Sequence, residues 1–278
     1  MRQALGAACL LAAGLAGAAL AQEGIEIPGE LLPSTRPMQG DKLRFCLDRT
    51  SAGAALDTAV AEAIGAALFV EVEIRPGLAN FPLTGGGYLT ELGILMNSSC
   101  DVMMGMSAQP DPAYAGFAAL TRPYARVPFV LAVADADYAR LGDLPHDRMI
   151  GTALGSLAEM NYIFWAGAQP EGRAWVRLPY ADPALMIRRL RDGTLGGAII
   201  WQPALARVLA LEDGSAGDPA VAVHEAALSP APEVVVEVAA IVSRSDSFLR
   251  AQIDEAIDAL AADGTLDAIM DDLGISHR

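Results

Sequence analysis

The chain has 278 residues, 53% of them hydrophobic, which suffices for one large or two modest domains with a sizeable core. Its formal net charge is −15, so its surface repels nucleic acid and anionic lipid and disfavours both as partners. The acidity leaves a basic protein partner open and also suits an exported protein that simply needs solubility.

The N-terminal residues have the pattern of a secretory signal peptide. Arg2 precedes an apolar run over residues 5–20, and a small–x–small triplet predicts cleavage after Ala21. A membrane anchor is the alternative, but the run is short for a span of about 20 residues and no stop-transfer charges follow. We therefore expect an exported protein without membrane insertion, with an extended, proline-bearing leader over residues 22–40.

The mature chain then alternates strands and helices. Apolar periodicity predicts strands over residues 42–47, 70–75, 100–106, 127–133, 149–152, 175–178, 197–201 and 234–242. It predicts helices over residues 54–68, 88–96, 157–166, 183–190, 204–210, 247–260 and 265–273. The opening strand–helix–strand order favours a right-handed βαβ unit, and the strand that stops at Gly105 ends where α/β proteins place ligands.

Two long strand-like segments, around residues 124–133 and 232–243, are placed to cross between two strand–helix units. We predict an α/β fold with two lobes and two crossover strands. Lobe 1 would comprise residues 41–126 and 236–278, and lobe 2 residues 127–235. A cleft between such lobes opens and closes by hinge motion.

Cleavage would leave two cysteines, Cys46 and Cys100, each beside a predicted strand. An even pair in an oxidising compartment favours a disulfide, and neighbouring strands bring Cα atoms within the required range of about 4.4–6.8 Å. Two buried free thiols are the alternative. The three histidines are scattered, so we predict neither a metal site nor a cofactor.

Two further features each have two interpretations. The Gly- and Ser-bearing turn at residues 151–156 leads into a helix, where it either binds an anion or only caps the helix. Trp201, at the end of a buried strand, is either a platform for a ligand or a core aromatic.

Five segments carry a resemblance to a known superfamily: the strand at 100–106, Thr-Arg-Pro-Tyr at 121–124, the turn at 151–156, the segment 191–201 and the tail 264–274. In them the chain resembles periplasmic solute-binding proteins of type II architecture, which serve as amino-acid receptors of ABC importers. The resemblance covers about residues 41–276 and implies a periplasmic, two-lobed monomer.

Within that superfamily the chain is most similar to binding proteins associated with quinoprotein (PQQ) dehydrogenases, including the J-type accessory proteins of methanol oxidation. Four segments carry this similarity: 43–46, 100–106, 121–129 and 199–204. The paired cysteines are its most specific feature. Amino-acid receptors have an Arg after the third strand that clamps the ligand carboxylate, and here residues 107–116 contain none.

These similarities support two hypotheses. The first is an accessory or ligand-binding component that partners a periplasmic PQQ-dependent alcohol dehydrogenase. The second is an ABC-importer receptor that delivers a small polar solute to a permease, with an amino acid disfavoured as that solute. An enzyme is disfavoured because the sequence shows no nucleophile–base pair and no paired carboxylates at strand ends.

The residues expected to line the cleft, for a solute or for a client protein, are polar or aromatic and follow predicted strands. They are Asp48, Arg49, Ser51, Ser107, Thr121, Arg122, Tyr124, Thr152, Ser156, Trp201 and Gln202. Arg122 has a second interpretation, a structural ion pair outside the cleft.

Overall fold

The computed structural model describes residues 42–78, 87–110, 112–211 and 221–276. The predicted signal peptide and leader lie outside these residues. Among the residues it describes, no helix combines the length and apolar character needed to cross a bilayer.

Strands and helices alternate through the described residues. The strands are β1 Lys42–Leu47, β2 Glu71–Pro76, β3 Val102–Ser107, β4 Ala118–Leu120, β5 Ala125–Val133, β6 Met149–Ala153, β7 Val176–Tyr180, β8 Leu195–Trp201, β9 Ala222–His224 and β10 Val235–Ser243. The helices are α1 Ala54–Leu68, α2 Gly87–Ser98, α3 Leu157–Gly167, α4 Pro183–Arg191, α5 Gln202–Leu211, α6 Ser247–Ala262 and α7 Thr265–Asp272.

The strands are hydrogen-bonded in the order β2-β1-β3-β10-β5-β8-β6-β7, with β4 beside β10 and β9 beside β5. Strands β1, β2 and β3 are parallel, as are β6, β7 and β8, whereas β5 and β10 are antiparallel to their neighbours. This is the mixed α/β, two-lobed type II fold that the sequence predicts.

The two long strands β5 and β10 connect the lobes. Residues 125–128 of β5 pair with β10, and residues 129–132 pair with β8 of lobe 2. The second half of β10 pairs with β3 of lobe 1, so each long strand contributes to both halves of the sheet path. The predicted lobe boundaries, 126/127 and 235/236, fall within these two strands.

Alternation along the strands places apolar side chains on both faces of each lobe's sheet. In β1, Phe45 packs in a core with α1 and α6, while Cys46 faces a second core with α2. In β5, Leu131 faces α3 and Val130 faces α4 and α5. Helices cover both faces of each sheet half, which is how parallel strands become fully buried.

The predicted disulfide is present. Cys46 and Cys100 are joined, with Cα atoms 5.6 Å apart, inside the α2-side core of lobe 1. The bond joins β1 to the residues that lead into β3, and the alternative of two free thiols is wrong.

The sequence prediction omits two strands and shifts several ends. Strands β4 and β9 have three residues each, too few to give a periodic signal. Strand β8 begins at Leu195, earlier than predicted, because Leu195 already pairs with Met149 of β6. Residues 212–220, between α5 and β9, lie outside the described part of the chain.

Candidate ligand cleft

The carboxyl ends of parallel strands in the two lobes define the candidate site. In lobe 1, β1 leads into α1 and β3 ends near Gly105, and in lobe 2, β6 leads into α3 and β8 into α5. Ligands of α/β proteins bind at such strand ends.

Asp57, in the first turn of α1, is buried at this edge of lobe 1. Asp57 is 3% exposed. Its Oδ1 accepts a hydrogen bond of 2.5 Å from the Tyr124 hydroxyl. The same hydroxyl accepts a hydrogen bond of 2.9 Å from the Gly105 N–H. Burial, together with the nearby carboxylate of Asp48, raises the pKa of Asp57 to about 6. Burial and the adjacent Asp57 raise the pKa of Tyr124 well above its usual value.

Two glycines leave room around the other oxygen of Asp57. A Cβ at Gly105 would lie 2.6 Å from Asp57 Oδ2, and one at Gly53 would lie 3.7 Å from it. Gly105 has φ +75°, a conformation that glycine adopts at low cost, and it is exposed. The strand end therefore comes closer to the carboxylate than any other residue type would allow.

Trp201, at the end of β8, reaches across from lobe 2 to this point. Its Cη2 lies 3.1 Å from the position a Cβ would take at Gly53, and the side chain packs against core residues of both lobes. Its indole Nε1 is buried and has no hydrogen-bond partner among the described residues. Trp201 is therefore a core aromatic at the interface of the lobes, and its role as a platform for a ligand stays a prediction.

The turn into α3 satisfies its own hydrogen-bond donors. Ser156 is the N-cap and accepts from the Glu159 N–H at 3.1 Å. The Glu159 carboxylate accepts from the Gly155 N–H at 2.6 Å and from the Thr152 hydroxyl at 3.0 Å, and it pairs with Arg177. Because a carboxylate of the chain occupies the position an anion would take, this structure favours capping over anion binding.

The lobes touch through polar groups at the start of α1 and along α5. Arg207 Nη1 donates to the Thr50 carbonyl at 2.8 Å and to the Ser51 carbonyl at 3.1 Å, and the Ser276 hydroxyl donates to Gln202 Oε1 at 2.6 Å. Beside these contacts lies a cavity of about 440 Å³ between α1, α5 and the C-terminal segment. Four polar or charged residues line it among apolar ones: Arg49, Ser51, Arg207 and Asp272.

Of the predicted cleft residues, three belong to the turn after β1. Asp48 caps this turn, accepting from the Thr50 N–H at 2.7 Å and the Ser51 N–H at 3.1 Å. Arg49 is exposed at the cavity and lies 3.5 Å from the Ile74 carbonyl. Ser107, the last residue of β3, is partly exposed beside β10, opposite Val238.

Two predicted cleft residues are directed elsewhere, which corrects the prediction. The Thr121 hydroxyl is buried and bonds the backbone of Ala240 in both directions. Arg122 pairs with Asp258 of α6 at 2.6 Å, and its N–H donates to Asp254. Arg122 therefore forms the structural ion pair that was its alternative interpretation, because α6 presents two carboxylates to it.

Asp57, Glu159 and Arg207 were absent from the predicted site. For Asp57 a signal existed: helical spacing places it with Val60, Ala61 and Ile64 on the apolar face of α1, where a carboxylate is out of place. For Glu159 the Ser-x-x-Glu spacing with Ser156 is a local capping-box signal. The partners of Arg207, at residues 50 and 51, are distant in sequence, so no local pattern reveals them.

Comparison with known proteins identifies the class of fold. No protein-family model matches the chain, and a search of curated protein sequences finds no match. Solved structures of solute-binding domains do match over most of their length. Substrate-binding domain 2 of GlnP from Lactococcus lactis, in an open conformation, shares 15% identity with a TM-score of 0.63, covering 86% of this chain and 97% of that one.

Two more solved structures match the chain with similar identity and coverage. The L-cystine solute receptor of Neisseria gonorrhoeae, unliganded and open, shares 18% identity with a TM-score of 0.59, covering 84% of this chain and 92% of its own. An ancestral cationic amino acid solute binding protein shares 17% sequence identity with a TM-score of 0.61, and the match covers 84% of this chain and 95% of that one. At these identities the comparisons establish the type II solute-binding fold and leave the ligand open.

Proposed function

We propose that the protein is a periplasmic receptor that captures a small solute between its lobes and presents it to an ABC permease. The observation that carries this proposal is the way the lobes meet, through a few polar contacts beside a cavity of about 440 Å³. That volume is typical of small-molecule sites, and two crossover strands permit hinge opening.

The solute is not an ordinary α-amino acid bound by its carboxylate. The loop after β3 has no arginine to hold a carboxylate bidentately. The start of α3, the other place where backbone N–H groups would meet an anion, is neutralised by Glu159. Neither of these two positions therefore holds a solute carboxylate, and the cationic groups that line the cavity are those of Arg49 and Arg207.

A thermal-shift screen of the mature chain tests the proposal. Amino acids, organic acids, amines and alcohol-derived metabolites would be compared, and a ligand at about 100 times its Kd should add about 2.7 kcal/mol of stability. For a chain of this size that raises Tm by several degrees. If no solute shifts Tm while a periplasmic protein binds tightly, the receptor proposal is wrong.

A second candidate is an accessory protein of a PQQ-dependent dehydrogenase. The Cys46–Cys100 disulfide favours it, because that cysteine pair is the most specific part of the resemblance to the dehydrogenase-associated branch. A protein partner also needs a contact surface. Helix α3 and the turn before it expose five large apolar side chains: Leu154, Leu157, Met160, Ile163 and Phe164.

A matched pair of variants tests this second candidate. Phe164 on α3 and Phe248 on α6 are both 73% exposed, but they lie on different lobes. If α3 binds the quinoprotein dehydrogenase of the source bacterium, Phe164→Ser should weaken capture of the purified enzyme about tenfold and Phe248→Ser should not. Equal capture by both variants and the parent chain would exclude α3 as the contact.

A further inference from the structure

The cavity between α1, α5 and the C-terminal segment is lined by two arginines that have no carboxylate partner. Arg49 belongs to lobe 1 and Arg207 to lobe 2. Neither forms an ion pair among the described residues, in contrast to Arg177 and Arg189. Arg49 has only a contact of 3.5 Å with the Ile74 carbonyl. The fold therefore brings an unpaired cationic group from each lobe to one cavity.

The guanidinium group of Arg207 is held through one nitrogen and keeps a free edge. Its Nη1 donates to the Thr50 and Ser51 carbonyls at 2.8 and 3.1 Å, which uses both N–H groups of that nitrogen. No acceptor for Nε or Nη2 lies among the described residues. These two nitrogens present parallel N–H groups, the arrangement that binds a carboxylate bidentately. The protein thus orients Arg207 and leaves its carboxylate-binding edge unused.

The first turn of α1 adds backbone donors to the same cavity. No side chain caps this helix, whose N-cap is Gly53. The Ala54 N–H donates to the Ser51 carbonyl at 3.3 Å, whereas the N–H groups of Ala55 and Leu56 meet no acceptor among the described residues. Residues 54–56 all line the cavity. Free N–H groups at the start of a helix favour an anion, so this turn acts in the same direction as the arginines.

The rest of the wall determines which kind of anion fits. Ten of the fourteen lining residues have Ala, Leu, Ile or Pro side chains, so an aliphatic or aromatic body can bury its surface there, whereas an inorganic anion cannot profit from them. Asp272 is the only carboxylate among the lining residues. Two arginines and one aspartate leave one positive charge in excess, which matches a solute with a single negative charge.

We propose that this cavity binds a small organic monocarboxylate, whose carboxylate pairs with Arg49 and Arg207 and whose apolar body lies against α1, α5 and the C-terminal segment. This inference rests on the receptor function proposed above and adds the chemical class of its solute. An α-ammonium group would stand beside the two guanidinium groups, which disfavours an amino acid. Because Arg207 also holds the turn before α1, an anion on its free edge links the two lobes.

Binding to the mature protein would be measured by calorimetry with hexanoate, benzoate and 3-phenylpropionate as sodium salts. Each has a neutral control of nearly the same shape: hexanamide, benzamide and 3-phenylpropanamide. We expect at least one carboxylate to bind and its amide to bind at least about tenfold more weakly. Binding of none of the three carboxylates at about 10 mM, or equal affinity for a carboxylate and its amide, overturns the proposal.

Arginine variants separate a binding role from a structural one. Arg207→Met removes the free edge together with the contacts to the turn before α1, so binding of the amide is followed as well, by ligand-observed NMR. Carboxylate affinity should fall at least about tenfold and amide affinity should stay within about twofold. Equal weakening of both ligands, or no change in either, overturns the proposal. Arg49→Met, which disturbs only the long contact to Ile74, should weaken the carboxylate at least about threefold.

A third variant tests where the apolar body lies. Ala206→Leu adds a side chain inside the cavity without changing its charge, and affinity should fall at least about tenfold. Matched controls are Ala251→Leu and Arg250→Met, both exposed on α6 and absent from the lining, which should bind as the parent does. Unchanged binding in Ala206→Leu places the solute elsewhere and overturns the proposal.

The solute screen distinguishes failure of this site from failure of the receptor function. If another class of solute binds and the carboxylates do not, the monocarboxylate site is wrong and the receptor stands. If no solute of any class binds, the receptor proposal fails as well.

Discussion

Each lobe buries a carboxylate near the start of a helix that follows a strand ending at the cleft: Asp57 on α1 and Glu159 on α3. Glu159 is 4% exposed and is surrounded by Arg177, a hydroxyl and a backbone N–H. Asp57 is 3% exposed and has the Tyr124 hydroxyl. The two carboxylates are buried to nearly the same extent, but only Glu159 has a cation and several hydrogen-bond donors around it.

The difference separates a compensated acid from an uncompensated one. A buried charge is stable when partners replace its lost hydration, as they do for Glu159. Asp57 lacks that replacement, which is why its pKa is raised to about 6, and shifts of this kind concentrate at functional sites. Lobe 2 therefore contributes a closed turn and Trp201, while lobe 1 retains the uncompensated charge.

The largest expected effect concerns the disulfide, which reinforces lobe 1 alone because lobe 2 contains no cysteine. Cys46→Ser should lower the free energy of unfolding by about 4 kcal/mol, the chain-entropy value for cysteines separated by 54 residues. Urea unfolding measures this loss. Detection of two alkylatable thiols in the native parent protein by mass spectrometry would contradict the bond.

The next largest effect is expected for the ion pair between Arg177 and Glu159 in lobe 2. Arg177→Met retains the aliphatic part of the side chain and leaves Glu159 buried without its cation. The free energy of unfolding should therefore fall by about 3 kcal/mol. Arg189→Met is the control, because Arg189 pairs with Asp192 at the surface and its removal should cost less than about 1 kcal/mol. Equal losses in the two variants would mean that Glu159 is not compensated as described.

In lobe 1, removing the charge of the buried carboxylate should raise the free energy of unfolding instead of lowering it. Asp57→Asn should raise the free energy of unfolding at neutral pH by about 1–3 kcal/mol, since two pKa units correspond to about 2.7 kcal/mol and the new amide N–H offsets part of the gain. Because the folded-state pKa is above the usual 3.8, the native parent binds its proton more tightly than the unfolded chain.

The stability of the parent should consequently fall as pH rises from about 4 to about 6 relative to the variant, and the two should converge below about pH 4. Denaturant unfolding at a series of pH values measures this. An Asn variant that is less stable at neutral pH would show that Asp57 is compensated by a partner after all.

The smallest effect is expected at Arg122, which the sequence placed in the cleft. Its side chain is 61% exposed and pairs with a half-exposed Asp258, so Arg122→Ala should change stability by less than about 1 kcal/mol. Ligand affinity should be unchanged. A large loss of affinity would return Arg122 to the site.

Local pattern was enough for most of the secondary structure and for the disulfide. Strand and helix periodicities lie within the sequence itself, and a cysteine pair beside two neighbouring strands leaves few alternatives. Local pattern did not predict the surroundings of Thr121 and Arg122, because their partners on β10 and α6 are more than a hundred positions away.

The sequence by itself determined that two strand–helix units are joined by two extended crossings, because apolar periodicity is a local property of the chain. Only the tertiary structure decided which charged groups are compensated. Compensation depends on what surrounds a side chain after folding: Glu159 meets Arg177 across 18 positions, whereas Asp57 meets the Tyr124 hydroxyl across 67. Hydration lost on burial is replaced by contacts in space, and neighbours along the chain do not reveal them.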